Sequence, residues 1–332
     1  MRYGLPYQGS KNAIADWIVS ELPSAETFVD LFFGGGAITH KALLSHKYQK
    51  FIINDIDDRL PKLFFDCVHG KYTVDTHPEW ITREEFNRLK DTDAYIALIW
   101  SFGNNGKNYL YGADIEDYKH AYHLLIFNND PKPLEKFGLK LQISKHENAY
   151  MRYLEYSTQI KAFFDGVRKH NYELENFERL QTVERLESLC RLQSLQNLQR
   201  LQSLQRLQSL QSLQSLQRFG VDYQQVPIPH GALIYCDIPY SNTKCGKYDG
   251  FNHNRFYAWA QEQDNIFISE YSMPNGFIEV ANTEKSILST QNGNGGKAIE
   301  KIFTNKRTYD LLSDDFKERI MFNTAEQCTF SI

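Results

Sequence analysis

Thr27-Phe28-Val29-Asp30-Leu31-Phe32-Phe33-Gly34-Gly35-Gly36, followed at a short distance by Phe51-Ile52-Ile53-Asn54-Asp55, is the stretch on which the fold turns. Thr27–Phe33 is apolar and rich in β-formers, which predicts a buried strand. It runs into three glycines, residues that permit a tight turn. Ile38–Leu44 predicts a helix, and Phe51–Ile53 a second short strand that ends at Asn54-Asp55. Upstream, Ile14, Trp17, Ile18 and Leu22 recur at helical spacing within Asn12–Leu22, and Pro23 stops that helix. The unit is strand, glycine turn, helix, strand, with an acid at the second strand's tip.

The same alternation returns late in the chain. Ala232–Cys236 predicts a strand that ends in Asp237-Ile238-Pro239-Tyr240. A helix around Phe256–Gln263 and a strand at Asn265–Ser269 follow, with a final strand pair at Glu300–Thr304 and Phe322–Thr324. Strands alternating with helices imply an α/β fold, mostly parallel, with helices on both faces and ligands at the carboxyl ends of the strands. Residues 60–175 carry mainly helix signals. Within them, Trp100–Lys107 is a polar, turn-rich loop between aromatics.

Whole-chain quantities bound the reading. At 332 residues, two domains are expected. A net charge of −4 excludes a chain basic along its length but not a local basic groove. Residues 132–170 hold such an island, with eight basic against four acidic side chains. Tyr150, Tyr153, Tyr156, Phe163 and Phe164 are interleaved with it; a solvated helix face over a core stripe explains the pattern equally. The five cysteines form no CxxC pair, so neither a disulfide framework nor a zinc ribbon is expected. No apolar run reaches the ~18 residues of a membrane span. A reducing, cytoplasmic setting without membrane contact is expected.

Residues 180–217 form a repeat in which twelve of thirteen positions, spaced by three, are leucine. A period of three matches neither the 3.6 residues of an α-helix nor a strand. The composition favours helix. An interaction arm and an inert insertion are both consistent with it, and no chemistry is assigned to it.

Four features carry chemistry. The glycine turn lacks both the dinucleotide spacing and the Walker lysine. Asp55, at the second strand's tip, stands where an acid commonly accepts bonds from ribose hydroxyls. Together they suggest a nucleoside-bearing cofactor without a pyrophosphate, a description that S-adenosylmethionine meets. The third feature is Asp237–Tyr240. An amino group on a flat base has its lone pair delocalised into the ring. The Asp237 carboxylate and the Ile238 carbonyl can each accept one of its N–H bonds and free that lone pair, while the Tyr240 ring stacks on the base. Catalysis of this kind is positioning and electrostatics. The fourth is Pro6-Tyr7-Gln8-Gly9-Ser10-Lys11, where a lysine beside a glycine turn can face an anion; an ordinary helix entry capped by Ser10 explains it too.

In this order, the four features resemble the Dam-like class of DNA adenine methyltransferases, over roughly residues 3–60 and 220–305. The resemblance implies a Rossmann-like methyltransferase sheet with an inserted, mainly helical target-recognition region. The catalytic domain would be 1–60 with 220–332, the recognition region 61–179, and the repeat arm 180–217. It implies S-adenosylmethionine as methyl donor, no metal, and double-stranded DNA as partner. Tyr7, Lys11, Asp30, Phe32, Gly34, Gly36, Asp55 and Asp237 would contact the cofactor. Asp237, Ile238, Pro239 and Tyr240 would hold a flipped adenine. Asn104, Asn105, Lys107, Lys140 and Lys145 are the candidates for DNA contact, Asn because it can pair bidentately with adenine. Leu31 and Ile238 stand where the family has prolines, and Ile238 removes a backbone restriction. A monomer or weak dimer is expected, either solitary or beside a cognate restriction endonuclease. The cytosine 4-amino group or a protein glutamine amide presents similar donor geometry, and a non-catalytic DNA-binding protein is the distant alternative.

Overall fold

The computed structural model describes residues 3–73, 79–173, 194–210, 215–240, 250–287 and 296–320. The chain folds as two units. The first comprises Met1–Leu5, Gly9–Phe65 and Ser209–Ile332, the second Pro6–Gln8 and Asp66–Gln208.

The first unit is built on a sheet of seven strands among the described residues. They are β1 (Thr27–Asp30), β2 (Lys50–Asn54), β3 (Ser215–Phe219), β4 (Leu233–Asp237), β5 (Ile266–Glu270), β6 (Phe277–Ile287) and β7 (Gly296–Asn305). Their order is β3-β2-β1-β4-β5-β7-β6. Neighbours from β3 to β5 pair in parallel, whereas β7 is antiparallel to both β5 and β6. One reversed strand in an otherwise parallel sheet is the Rossmann-like α/β arrangement expected from the alternation. The chain winds outward from β1 to β3 and returns to β4, so the strand order reverses between β1 and β4. A crevice at the carboxyl ends of these two strands is the natural ligand site.

The central strands are buried on both faces, which is why they read as unbroken apolar runs. All four residues of β1 are buried. Phe28 packs against Tyr48, Phe51 and Tyr235, at ring-centroid distances of 4.8, 6.0 and 6.3 Å. Full burial of such a ring contributes roughly 2–3 kcal/mol. The first helix begins as a 3₁₀ turn, Lys11–Ile14, and continues as α-helix over Ala15–Glu21, burying Ile14 and Ile18. Helices Ala37–Ser45 and His253–Gln261 lead into β2 and β5.

Two strands were not foreseen. β6 mixes polar and apolar residues, and a register shift between Glu279 and Ala281 interrupts its alternation. β3 is cut from the end of the leucine repeat. It is an edge strand with no fully buried residue, held by backbone pairing from Lys50↔Ser215 to Asn54↔Phe219. Glu300–Thr304 falls within β7. Phe322–Thr324 lies outside the described residues.

The second unit is mainly helical: Arg83–Leu89, Ala94–Ile99, Glu116–Phe127, Ala149–Glu173 and Ser194–Arg206, with a 3₁₀ segment at Lys132–Phe137. In the long helix, Tyr156, Ile160 and Phe164 are buried at four-residue spacing, so the aromatics of the basic island supply a core stripe. The repeat is α-helical over Ser194–Arg206 and tightens into a 3₁₀ helix at Leu207–Leu210. Leu201, Leu204, Leu207 and Leu210 are all buried. A stripe spaced by three drifts around an α-helix, but it is in phase with the 3.0 residues per turn of a 3₁₀ helix. The change of helix type therefore keeps the stripe inward. Residues 180–193 and 211–214 of the repeat lie outside the described residues. No helix among the described residues is long and apolar enough to cross a membrane.

Candidate active site

At the end of β1 the chain turns through Gly34, Gly35 and Gly36. Gly34 and Gly36 take positive φ of 50° and 69°. A Cβ on Gly36 would lie 2.1 Å from the Phe33 ring, so the position excludes any side chain. The turn is tied on both sides. Phe33 donates its backbone N–H to the Asn54 carbonyl (2.9 Å), and Leu5 donates to the Gly35 carbonyl (2.7 Å). The Asn54 side chain bonds the Leu31 carbonyl and both the N–H and the C=O of Val221, each at 3.1 Å. One buried amide thus joins the end of β1, the end of β2 and the segment after β3.

Asp55 is buried at the β2 tip. Its carboxylate accepts the backbone N–H groups of Gly34 (2.8 Å) and Asp57 (2.9 Å). Its immediate work in the protein is to fix the glycine turn. Phe32 leans into an aromatic cluster of Tyr223, Phe251 and Phe256, with centroids 5.5–5.6 Å away.

Asp30 is fully buried. Its Oδ2 accepts from the Thr39 hydroxyl at 2.7 Å, while Oδ1 has no partner. Burial pushes its pKa up to about 7, with Asp237 and Asp55 adding to the rise and the Thr39 bond opposing it. A second buried polar atom, Ser10 Oγ, also lacks a partner. Ser10 precedes the 3₁₀ turn without capping it through its side chain.

At the end of β4 four side chains meet. The Lys11 ammonium lies 3.0 Å from Asp237 Oδ1 and 3.8 Å from Glu300 Oε2, and donates to the Tyr240 hydroxyl. It also stands 4.3 Å from the centroid of the Tyr240 ring. Tyr240 donates its hydroxyl to Glu300 Oε2 at 2.7 Å, and its ring meets Tyr271 edge-on at 4.5 Å. The Lys11 side chain is 8% exposed, Glu300 2% and Asp237 24%. Asp237 and Tyr240 are therefore partly open, whereas Lys11 and Glu300 are buried. Burial alone lowers the Lys11 pKa, but Asp237 and Glu300 outweigh it and the net shift is upward. Burial, reinforced by Asp237 and Glu300, drives the Tyr240 pKa far above its ordinary value, so the phenol stays neutral.

Ile238 is buried in the core cluster that also holds Phe256, and the Pro239 carbonyl lies 2.8 Å from His253 Nε2. Sequence reasoning assigned no role to Glu300, His253 or Asn54. Glu300 carried a signal: it shares the inward face of β7 with Ile302 and Thr304, while Ile299 is half exposed.

The remaining candidates fall in the second unit. Tyr7 lies in the Pro6–Gln8 stretch and is partly buried. Asn104 donates its amide to the Leu98 carbonyl (2.8 Å), and Asn105 Oδ1 accepts from the N–H groups of Lys107 and Asn108. Both asparagines thus spend hydrogen-bonding capacity on holding their own loop. Lys107, Lys140 and Lys145 are exposed, as is Phe102 beside them in sequence. Among the described residues no group of His, Cys, Asp or Glu could hold a metal ion.

Residues 7–98 match the model of the D12 class N6 adenine-specific DNA methyltransferase family. That span holds Lys11, the glycine turn and Asp55, and stops well before Asp237–Tyr240. No curated protein matches the chain. Over residues 7–98 the chain is thus similar to a family of DNA adenine-N6 methyltransferases, and the sheet order and the order of the motifs agree with that similarity.

Proposed function

We propose that the enzyme takes S-adenosylmethionine at the carboxyl ends of β1 and β2 and methylates the 6-amino group of adenine within a specific site in duplex DNA. The observation that carries this reading is the Lys11–Asp237–Tyr240–Glu300 group, which places a partly open carboxylate beside a neutral, fixed aromatic ring. The residues present fit the cofactor. Asp30 Oδ1, buried and unpartnered, suits an ammonium group, and the glycine turn leaves room where a Cβ would stand. Asp55, the acid at the β2 tip that also holds the Gly34 N–H, is the carboxylate on which ribose hydroxyls would bond. Asp30, Asp55, Asp237 and Glu300 bring four carboxyl groups to this site, where Lys11 is the ammonium that Asp237 and Glu300 share, an environment that favours a cationic ligand.

When bound, S-adenosylmethionine supplies an electrophilic methyl group on a cationic sulfur and leaves as a neutral thioether. The protein's part is to present the nucleophile. Flipping the adenine costs a few kcal/mol, and stacking on Tyr240 returns roughly 1–3 of these. Asp237 and the Ile238 carbonyl accept the two N–H bonds of the amino group, which frees its lone pair for in-line attack. Asp237 is then placed to take the proton released on transfer. Lys107, Lys140 and Lys145 would bind phosphates, with the Asn104-Asn105 loop as the adjacent recognition element. Monomeric action, and pairing with an endonuclease where one is encoded nearby, complete the proposal. Methylation-sensitive sequencing of DNA from cells expressing the chain tests it. Methylated adenine at one recurring short sequence is expected, and unmodified adenine throughout would overturn it.

A further inference from the structure

This inference rests on the role just given to Asp237–Tyr240. Two of that segment's four residues are anchored through their side chains: Asp237 and Tyr240 by Lys11, with Glu300 also holding Tyr240. The two between them present the backbone carbonyl on which the base is to be held. Pro239 has a fixed φ and no N–H. Ile238 is 1% exposed, so its side chain is secured by packing, but its own φ is not locked by a ring. The orientations of the Ile238 and Pro239 carbonyls differ only by φ and ψ of Pro239. With φ set by the proline ring, ψ of Pro239 is the torsion left between them, and a bond to the Pro239 carbonyl, between a packed Ile238 and an anchored Tyr240, limits it.

His253 is placed to do this. Its Nε2 lies 2.8 Å from the Pro239 oxygen. A carbonyl only accepts, so the imidazole donates, as the Nε2–H tautomer or as imidazolium. The histidine opens the helix His253–Gln261, which Asn252 caps by accepting the Arg255 N–H. Its ring meets Phe251 edge-on at 4.9 Å, with Tyr257 at 6.0 Å. One turn later, Phe256 enters the core cluster that holds Ile238. The donor therefore stands on a rigid mount.

We propose that His253 is a positioning residue for methyl transfer. By clamping the Pro239 carbonyl it aims the Ile238 carbonyl at the adenine amino group, and so supplies rigidity that a proline at position 238 would otherwise give. The clamp acts on turnover and leaves DNA and cofactor affinity alone.

The test is steady-state kinetics of the full chain on duplex DNA carrying its methylation site, with His253→Phe, His253→Gln and the double variant I238P/H253F. Phenylalanine keeps the aromatic packing and removes the donor; glutamine keeps an N–H at similar reach. His253→Phe should lower kcat about tenfold with both KM values within about twofold. His253→Gln should retain most of the activity, and I238P/H253F should regain most of what His253→Phe loses. Should His253→Phe fail to fold, His253→Asn, whose shorter amide misses the carbonyl, takes its place with the same expected loss. Unchanged kcat on removing the donor, equal loss with glutamine, or no recovery on adding the proline each overturns the clamp. If the wild-type chain itself transfers no methyl group, the reading of the tetrapeptide has failed instead.

Discussion

Cofactor affinity should rise with pH below neutrality, and Asp30 should be the reason. Its carboxyl is fully buried and pushed up to about 7, first by burial and then by Asp237 and Asp55. An ammonium group bound at the open Oδ1 requires the ionised form. That form amounts to about 3% at pH 5.5 and about half at pH 7, so affinity should strengthen roughly fifteenfold across that interval. The cofactor's own α-amino group, with an ordinary pKa of about 7.8, stays largely protonated over the same range. Folding stability should run the other way. The folded pKa lies above the ordinary value of 3.8, so the native state keeps a proton that the unfolded chain has released. Stability from this group is therefore lost as pH rises from about 3.8 to 7, by roughly 4 kcal/mol in all. Calorimetric titration at pH 5.5, 6.0, 6.5 and 7.0 in two buffers of different ionisation heat reads both affinity and proton release. Close to one proton should leave per cofactor bound at pH 6. Asp30→Asn should be no less stable than wild type at pH 8, bind the cofactor at least about tenfold more weakly, and show a flat profile. A flat wild-type profile, or an unchanged slope in Asp30→Asn, would refute the reasoning.

Lys11→Met leaves Asp237 and Glu300 without their shared cation and should cost about 3 kcal/mol in chemical denaturation. Adding Glu300→Gln should recover part of that loss; a double variant less stable than Lys11→Met would deny the pairing. Gly4 has a φ of +69°, and a Cβ there would lie 2.3 Å from the Gly35 carbonyl. Gly4→Ala should therefore displace the glycine turn and weaken cofactor binding more than tenfold, measured by titration. Arg200, in the repeat helix, is half-buried and donates to the carbonyls of Ile99 and Ser101. Arg200→Met removes a donor from both carbonyls and leaves Ser101 O only the Asn104 N–H, loosening the loop that holds Asn104 and Asn105, and should weaken DNA binding in a filter assay while sparing cofactor affinity. Equal loss of both would point to general unfolding.

The first strand–turn–helix–strand was legible because each of its elements carries a local signal. β1 is buried throughout and runs on into Leu31-Phe32-Phe33, the turn needs glycine, and an acid follows the second strand. β4 and β5 were legible for the same reason, and the tetrapeptide stood out by its chemistry. β3 left no such trace, since an edge strand held by backbone pairing makes little demand on side chains. The composition of the repeat favoured helix, and Ser194–Arg206 is α-helical; its period of three finds a match only where the buried leucines continue into a 3₁₀ helix, in which three is the natural spacing. Glu300 and His253 act across 60 and 14 residues of chain from the groups they hold, a distance that no local pattern reveals. Asn104 and Asn105 were chosen for their pairing capacity, and the fold shows much of that capacity spent on the loop itself.

The central claim is methyl transfer to adenine by the Asp237–Tyr240 segment. It is tested most directly by incubating unmethylated duplex DNA with the enzyme and methyl-labelled S-adenosylmethionine, then digesting to nucleosides for mass spectrometry. The account predicts label in N6-methyladenine alone with the wild-type chain, and none with Asp237→Ala. Label in cytosine or in protein, or N6-methyladenine formed at the wild-type rate by Asp237→Ala, would contradict it.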